Sequence, residues 1–230
     1  SITKSIAQDN YQKAYTTYKD KDYDKALIYI NDYIKTESSS SYAYNLRGLI
    51  YLEKKDYEKA IIDFSEALII VPNDDIVLLN RGQAYHEKND YDNALSDYSK
   101  SIKINPRNVD LYVLRAETYQ AIAFSASIHG ESKSNDYYNL AIKDYTVAIQ
   151  LSPDNFFIYY KRASVYEEIL EFDKSIVDYT KTIELKPDYI EAFVSRAEIF
   201  EEKKQFENAI QDYTVALNSD PDNRVLLKKR

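Results

Sequence analysis

The sequence predicts an all-α fold, a solenoid of stacked helix–turn–helix repeats, and three observations carry that prediction. A nine-residue pattern recurs along the chain, as DYDKALIYI (22–30), DYEKAIIDF (56–64), DYDNALSDY (90–98), YYNLAIKDY (137–145), EFDKSIVDY (171–179) and QFENAIQDY (205–213). Its central small residues, Ala26, Ala60, Ala94, Ala141, Ser175 and Ala209, are spaced by 34, 34, 47, 34 and 34 positions. A fixed period of that length is the mark of a helical hairpin array, and the odd step is one period with an insertion. Each period also holds two stretches with apolar residues three and four apart, so each is a pair of amphipathic helices. Finally, three glycines and five prolines in 230 residues leave too little turn chemistry for an all-β fold.

Other positions keep the register. Twelve residues before the marker stands a small residue, namely Ala14, Gly48, Gly82, Ala163 or Ala197, with Ala116 in the repeat that carries the insertion. An aromatic follows three further on, at Tyr51, Tyr85, Tyr119, Tyr166 and Phe200, with Thr17 departing in the first repeat. After the marker come a second aromatic (Phe64, Tyr98, Tyr145, Tyr179, Tyr213), a small residue (Ala67, Ser101, Ala148, Thr182, Ala216) and a proline (Pro72, Pro106, Pro153, Pro187, Pro221). Small residues let helices cross closely and the aromatics fill the space beside them. Proline ends the second helix, and Asp or Asn just after it is placed to cap the next first helix.

These residues resemble the tetratricopeptide repeat, and the likeness runs over 7–223. The repeats read as 7–40, 41–74, 75–108, 109–155, 156–189 and 190–223, one solenoid domain over 1–230, with the first repeat the weakest match. The resemblance implies a right-handed superhelix whose concave groove is lined by the first helix, helix A, of each pair. One hairpin cannot bury its apolar face alone, whereas stacked hairpins share a continuous core.

Asp63, alone in an apolar helical run, invites a catalytic or metal-binding reading. Its counterparts Asp97, Asp144, Asp178 and Asp212 argue otherwise, since an active site is not copied five times at equal pitch. An arginine precedes each on helix A (Arg47, Arg81, Arg115, Arg162, Arg196), so the expected role is an ion pair that fixes hairpin register. Arg81 is expected to meet Asp97 or Asp63. No enzyme chemistry is expected elsewhere. Of the two histidines, His86 lacks a partner four residues on and His129 lies in the insertion. There is no phosphate-binding glycine loop and no nucleophile elbow, no cofactor is implied, and the absence of cysteine excludes disulfides and thiolate metal sites. The 24 tyrosines sit mostly at repeat positions, which makes them packing residues rather than base-stacking platforms. A net charge of −8 disfavours nucleic acid, and no apolar run is long enough to span a bilayer. No secretory signal is visible and cytoplasmic residence is favoured. The chain starts at Ser1 and holds no Met, as a trimmed chain would, so a signal or anchor could lie beyond it.

What remains is binding. In the family resembled, partner peptides cross helix A at its positions 2, 5, 9, 12 and 13. Carried over, this implies a groove that includes Tyr42, Asn45, Leu49, Leu52, Leu79, Gln83, His86, Val113, Glu117, Tyr160, Glu167, Glu198 and Glu201. Its first half is aromatic and apolar and its second half acidic, as suits a protein or peptide segment with apolar anchors and basic residues. The family's clamp for the acidic tails of Hsp70 and Hsp90 is not expected, because its Lys, Asn and Arg positions hold Tyr11, Tyr15, Leu46, Ile76 and Asn80. The insertion, 122–135, reads as an extension of helix A by IAFSAS followed by a loop, HGESKSND. The segment RVLLKKR (224–230) reads as a further helix A or a cap. Its Val225, Leu226 and Leu227 raise an alternative function, homo-oligomeric assembly through solenoid ends.

Overall fold

The computed structural model describes residues 2–130 and 133–220, with side chains from Asp9 onward. Among the described residues there are twelve α-helices and no strand. They pair as α1 (Ile2–Lys19) with α2 (Tyr23–Thr36), α3 (Ser41–Glu53) with α4 (Tyr57–Ile70), and α5 (Asp75–Glu87) with α6 (Tyr91–Ile104). Then follow α7 (Val109–Ile128) and α8 (Ser134–Leu151), α9 (Phe156–Glu168) with α10 (Phe172–Leu185), and α11 (Ile190–Glu202) with α12 (Phe206–Ser219). The chain divides into two compact units, Ser1–Leu114 and Arg115–Arg230. Within each, the second helix of a pair also packs on the first helix of the next, α2 on α3 and α4 on α5, α8 on α9 and α10 on α11. Each unit is thus an all-α stack of hairpins, the solenoid arrangement.

The repeat markers are the core. Phe64, Tyr98, Tyr145, Tyr179 and Tyr213 are all buried, with the small markers beside them. The two helical glycines show how tight this is: a Cβ on Gly48 would lie 2.6 Å from the Phe64 ring, and one on Gly82 would lie 2.7 Å from the Tyr98 ring. The first repeat departs for a visible reason. Tyr33 stands where the others have a small residue. It is buried, and its ring lies tilted against those of Tyr11 and Tyr42, at centroid distances of 5.4 and 6.0 Å.

Helix boundaries follow side-chain chemistry. Asp22, Asp56 and Asp90 cap α2, α4 and α6 by accepting from Lys25, Lys59 and Asn93 backbone N–H groups. Asp74 and Asn155 cap α5 and α9 as the proline-linked pattern implies, and Ser40 takes this role for α3, where proline is missing. At α11 the pattern fails. Tyr189 is the cap residue and makes no side-chain cap bond, because its ring carries no oxygen near the backbone to accept from the first turn; Asp188, one residue earlier, pairs with Lys186 at 2.9 Å. The turn inside a hairpin is left-handed at a residue other than glycine in five repeats: Lys21, Lys55, Asn89, Leu170 and Lys204 have φ between 58° and 64°. Each closes a helix with paired backbone bonds, as Asp56 N to Tyr51 O and Lys55 N to Leu52 O, both 2.9 Å.

The insertion is more helical than its sequence implies. IAFSAS does extend α7, to Ile128, but α8 starts at Ser134, so SND of the expected loop is the first turn of a helix. Asp136 in that turn favours it through the helix dipole. Ala123, Ala126 and Tyr138 bury the inner side of the extension, and Phe124 and Ile128 stay exposed. The segment 224–230, with Val225, Leu226 and Leu227, lies outside the described residues, as does Pro221.

Candidate interaction surface

The repeated arginine is the joint of the array. Arg47 donates through Nε and Nη2 to the two carboxylate oxygens of Asp63, both at 2.7 Å, and the same fork joins Arg81 to Asp97 at 2.7 and 2.9 Å. It recurs from Arg115 to Asp144, Arg162 to Asp178 and Arg196 to Asp212, at 2.7–2.8 Å. The aspartates are buried, and their partner is the arginine of their own repeat. Burial lifts the Asp63 carboxyl above its ordinary value, against the opposing pull of Arg47. The remaining nitrogen reaches back one repeat. Arg47 Nη1 donates to Asn31, Arg81 to Ser65, Arg162 to Thr146 and Arg196 to Thr180, at 2.8–3.0 Å. One guanidinium therefore ties three helices, and both oxygens of the carboxylate are taken up in the joint.

Sequence reasoning passed over that third partner, although its signal was present: a polar residue five after the marker, in register at Asn31, Ser65, Ser99, Thr146, Thr180 and Thr214. A second tie was also missed. Thirty residues apart, Tyr23 donates to Glu53 at 3.3 Å, Tyr57 to Glu87 at 3.5 Å and Tyr138 to Glu168 at 3.4 Å. Lys54–Asp24 at 2.7 Å and Lys88–Glu58 at 3.2 Å repeat the spacing beside them.

The expected groove residues lie on helix A and stay at least partly accessible, each in its own unit. In the first unit Tyr42 is 51% exposed, edge-on to Tyr11 at 4.9 Å, and its hydroxyl meets that of Tyr33. Asn45 accepts from Asn80 at 2.9 Å, a link between neighbouring A helices that takes Asn80 out of the surface. Leu49 and Leu52 pack against the core of the second repeat, and Leu79 against that of the third. Both Leu49 and Leu52, with Gln83, line a depression of about 250 Å³. His86 is half-buried near the Tyr91 ring, at 5.6 Å, and Val113 is half-buried.

In the second unit the carboxylates are held rather than loose. Tyr179 donates to Glu167 at 3.1 Å and Tyr213 to Glu201 at 2.5 Å, each hydroxyl reaching up from the buried marker ring. Gln120 accepts from Tyr145 in the same way, at 2.5 Å. Burial, with Glu198 and Glu168 nearby, raises the Glu167 carboxyl above the ordinary carboxylate range, while Tyr179 opposes the rise. Glu117 is paired with Lys161 at 2.9 Å, and Tyr160 packs against Tyr179 and Tyr189 at 5.5 and 5.0 Å. Among the described residues no cluster of three metal-ligating side chains occurs, and no helix is long and apolar enough to cross a membrane.

Comparison with known proteins agrees with this architecture. Models of the tetratricopeptide repeat match residues 41–74 and 190–223, the limits of the second and sixth repeats, and a further TPR repeat model matches 82–122. No curated protein matches the chain. A crystal structure of MamA is 26% identical over 76% of this chain and 94% of its own, with a TM-score of 0.67. MamA from Desulfovibrio magneticus RS-1 (residues 41 to its end) is 18% identical over 80% of this chain and 97% of its own, with a TM-score of 0.69. YrrB, a TPR protein described as having an unusual peptide-binding site, is 16% identical over 86% of this chain and 96% of its own, with a TM-score of 0.67. At such identities the last two show likeness of fold alone. With these matches, the 34-residue register and the twelve paired helices, the chain belongs to the tetratricopeptide repeat family.

Proposed function

We propose that the chain is a non-enzymatic protein-interaction scaffold that holds a partner peptide on the exposed faces of its A helices. The observation that carries the reading is what those faces present. In the first unit they offer tyrosine and leucine side chains, and in the second they offer carboxylates held by the hydroxyls of buried tyrosines. The partner segment places apolar side chains near Tyr42, Leu49, Leu52 and Leu79 and basic ones near Glu167, Glu198 and Glu201. Apolar contact supplies most of the affinity, at about 1.5–3 kcal/mol for each aliphatic side chain buried. The charges set association rate and orientation, so added salt weakens binding only in part. YrrB, of like fold, is a peptide binder by its description, which supports the class of function and not the site.

The test is a pull-down with the intact chain, identification of the retained protein by mass spectrometry, and titration of the contacting segment. Replacing Glu198, Glu201 and Glu202 together by Lys is expected to slow association about tenfold at low salt and less at high salt. Tyr42→Ala is expected to weaken binding at both. Wild-type behaviour in both variants would overturn the reading.

A further inference from the structure

The depression on the first unit is more specific than an apolar anchor site. It is lined by the half-buried Leu49 and Leu52 of α3, which supply its apolar floor, with Tyr57 of α4 and Gln83 of α5 beside them. Its rim carries Glu53 and Glu87, the last residues of α3 and α5, so the carboxylates sit where two helix dipoles already favour positive charge. Both are oriented by hydroxyls, Glu53 by Tyr23 and Glu87 by Tyr57. At about 250 Å³ the space falls below the roughly 300–1,000 Å³ of small-molecule sites and suits a single side chain.

We infer that this depression is a pocket for one lysine side chain of the bound segment, an inference that rests on the peptide-scaffold reading above. The aliphatic stem covers Leu49 and Leu52, and the ammonium meets Glu53, Glu87 and the Gln83 amide oxygen, three acceptors for three N–H donors. The apolar contact proposed above at Leu49 and Leu52 is made by this stem, since a purely apolar side chain strips water from two carboxylates without replacing it. An acidic side chain is repelled. The pair of repeats 156–189 and 190–223 does not repeat the pocket, because Ser164 and Glu167 occupy the positions of the two leucines and Glu198 that of Gln83. Lys55 stands on the same rim and makes no ion pair among the described residues; it competes for the carboxylates and lowers the affinity.

The experiment uses the full chain and two fluorescein-labelled seven-residue peptides, identical except at the centre, where one has lysine and the other norleucine, each flanked by leucines. Anisotropy is expected to show the lysine peptide binding about tenfold more tightly, the worth of one charge-assisted hydrogen bond. In the Glu53→Gln/Glu87→Gln double variant that preference is expected to vanish while norleucine affinity stays unchanged. Lys55→Ala is expected to strengthen lysine binding alone. A lysine preference that survives the double variant but falls when Glu198 and Glu201 are changed overturns the pocket and leaves the scaffold reading in place. Absence of binding by either peptide overturns the pocket as well, and the partner titration above then decides the scaffold reading separately.

Discussion

At the scale of single residues, the sequence pattern is legible where a side chain has one possible job. Gly48 and Gly82 occupy a small-residue position because Phe64 and Tyr98 leave no room for a methyl group. In a helix interior, glycine to alanine ordinarily gains about 0.5–1 kcal/mol. Here overpacking a buried ring costs about 1–3 kcal/mol and outweighs that gain. Gly82→Ala is therefore expected to lower the melting temperature, although the sister repeats carry Ala116, Ala163 and Ala197 at this position. A rise would show that the Tyr98 ring shifts freely. Glu167 could be placed on helix A from the sequence but not read as a perturbed acid, since its burial and its contact with Tyr179 exist only in three dimensions. Its folded pKa lies above the unfolded one, so the stability it contributes is present in acid and lost as pH rises through the folded value. Gln accepts the same Tyr179 hydrogen bond without titrating. Glu167→Gln should match the wild type in the acid range and become the more stable of the two towards about pH 7. Melts of both proteins across that range check the sign, and a difference that does not change with pH would count against it.

At the scale of elements, the helix pairs and their limits could be read from spacing, caps and prolines, whereas the ties between repeats could be read only in part. The Arg–Asp pair was visible because both charges recur within an apolar pattern. The hydroxyl or amide that completes it, at Asn31, Ser65, Thr146 and Thr180, was not, because Ser, Thr and Asn on a helix read as solvated surface. The end of the insertion was misread for a similar reason: Ser, Asn and Asp suit a loop and a helix start equally well. The Arg81–Asp97 pair gives the expected cost of breaking such a joint. Its side chains are 18% and 3% exposed, so removing one partner strands a desolvated charge. Asp97→Ala should destabilise by about 3 kcal/mol, while Arg81→Met with Asp97→Leu should stay within about 1 kcal/mol of the wild type. Urea unfolding of the single and double variants measures both. A double variant as unstable as the single would mean that the pair does more than satisfy itself.

At the scale of the whole molecule, the fold was legible because one packing problem is solved six times, and every repetition strengthens the same signal. Function was less legible, because the helix A faces proposed to bind are those that packing leaves unspecified. The same repetition governs how the chain comes apart. Each hairpin touches only its neighbours, so stability is a sum of repeat and interface terms, and damage should spread no further than those interfaces carry it. Asp63→Asn weakens the joint that ties α3 to α4 and to α2. Hydrogen exchange read by mass spectrometry should then show faster exchange in α2 to α5, with α9 to α12 protected as in the wild type. Thermal unfolding should broaden, since a weakened repeat opens below the temperature at which the rest melts. Uniform loss of protection along the chain would instead mean that the six hairpins unfold as one cooperative body. In that case the arginine joints would couple the whole array rather than adjacent repeats.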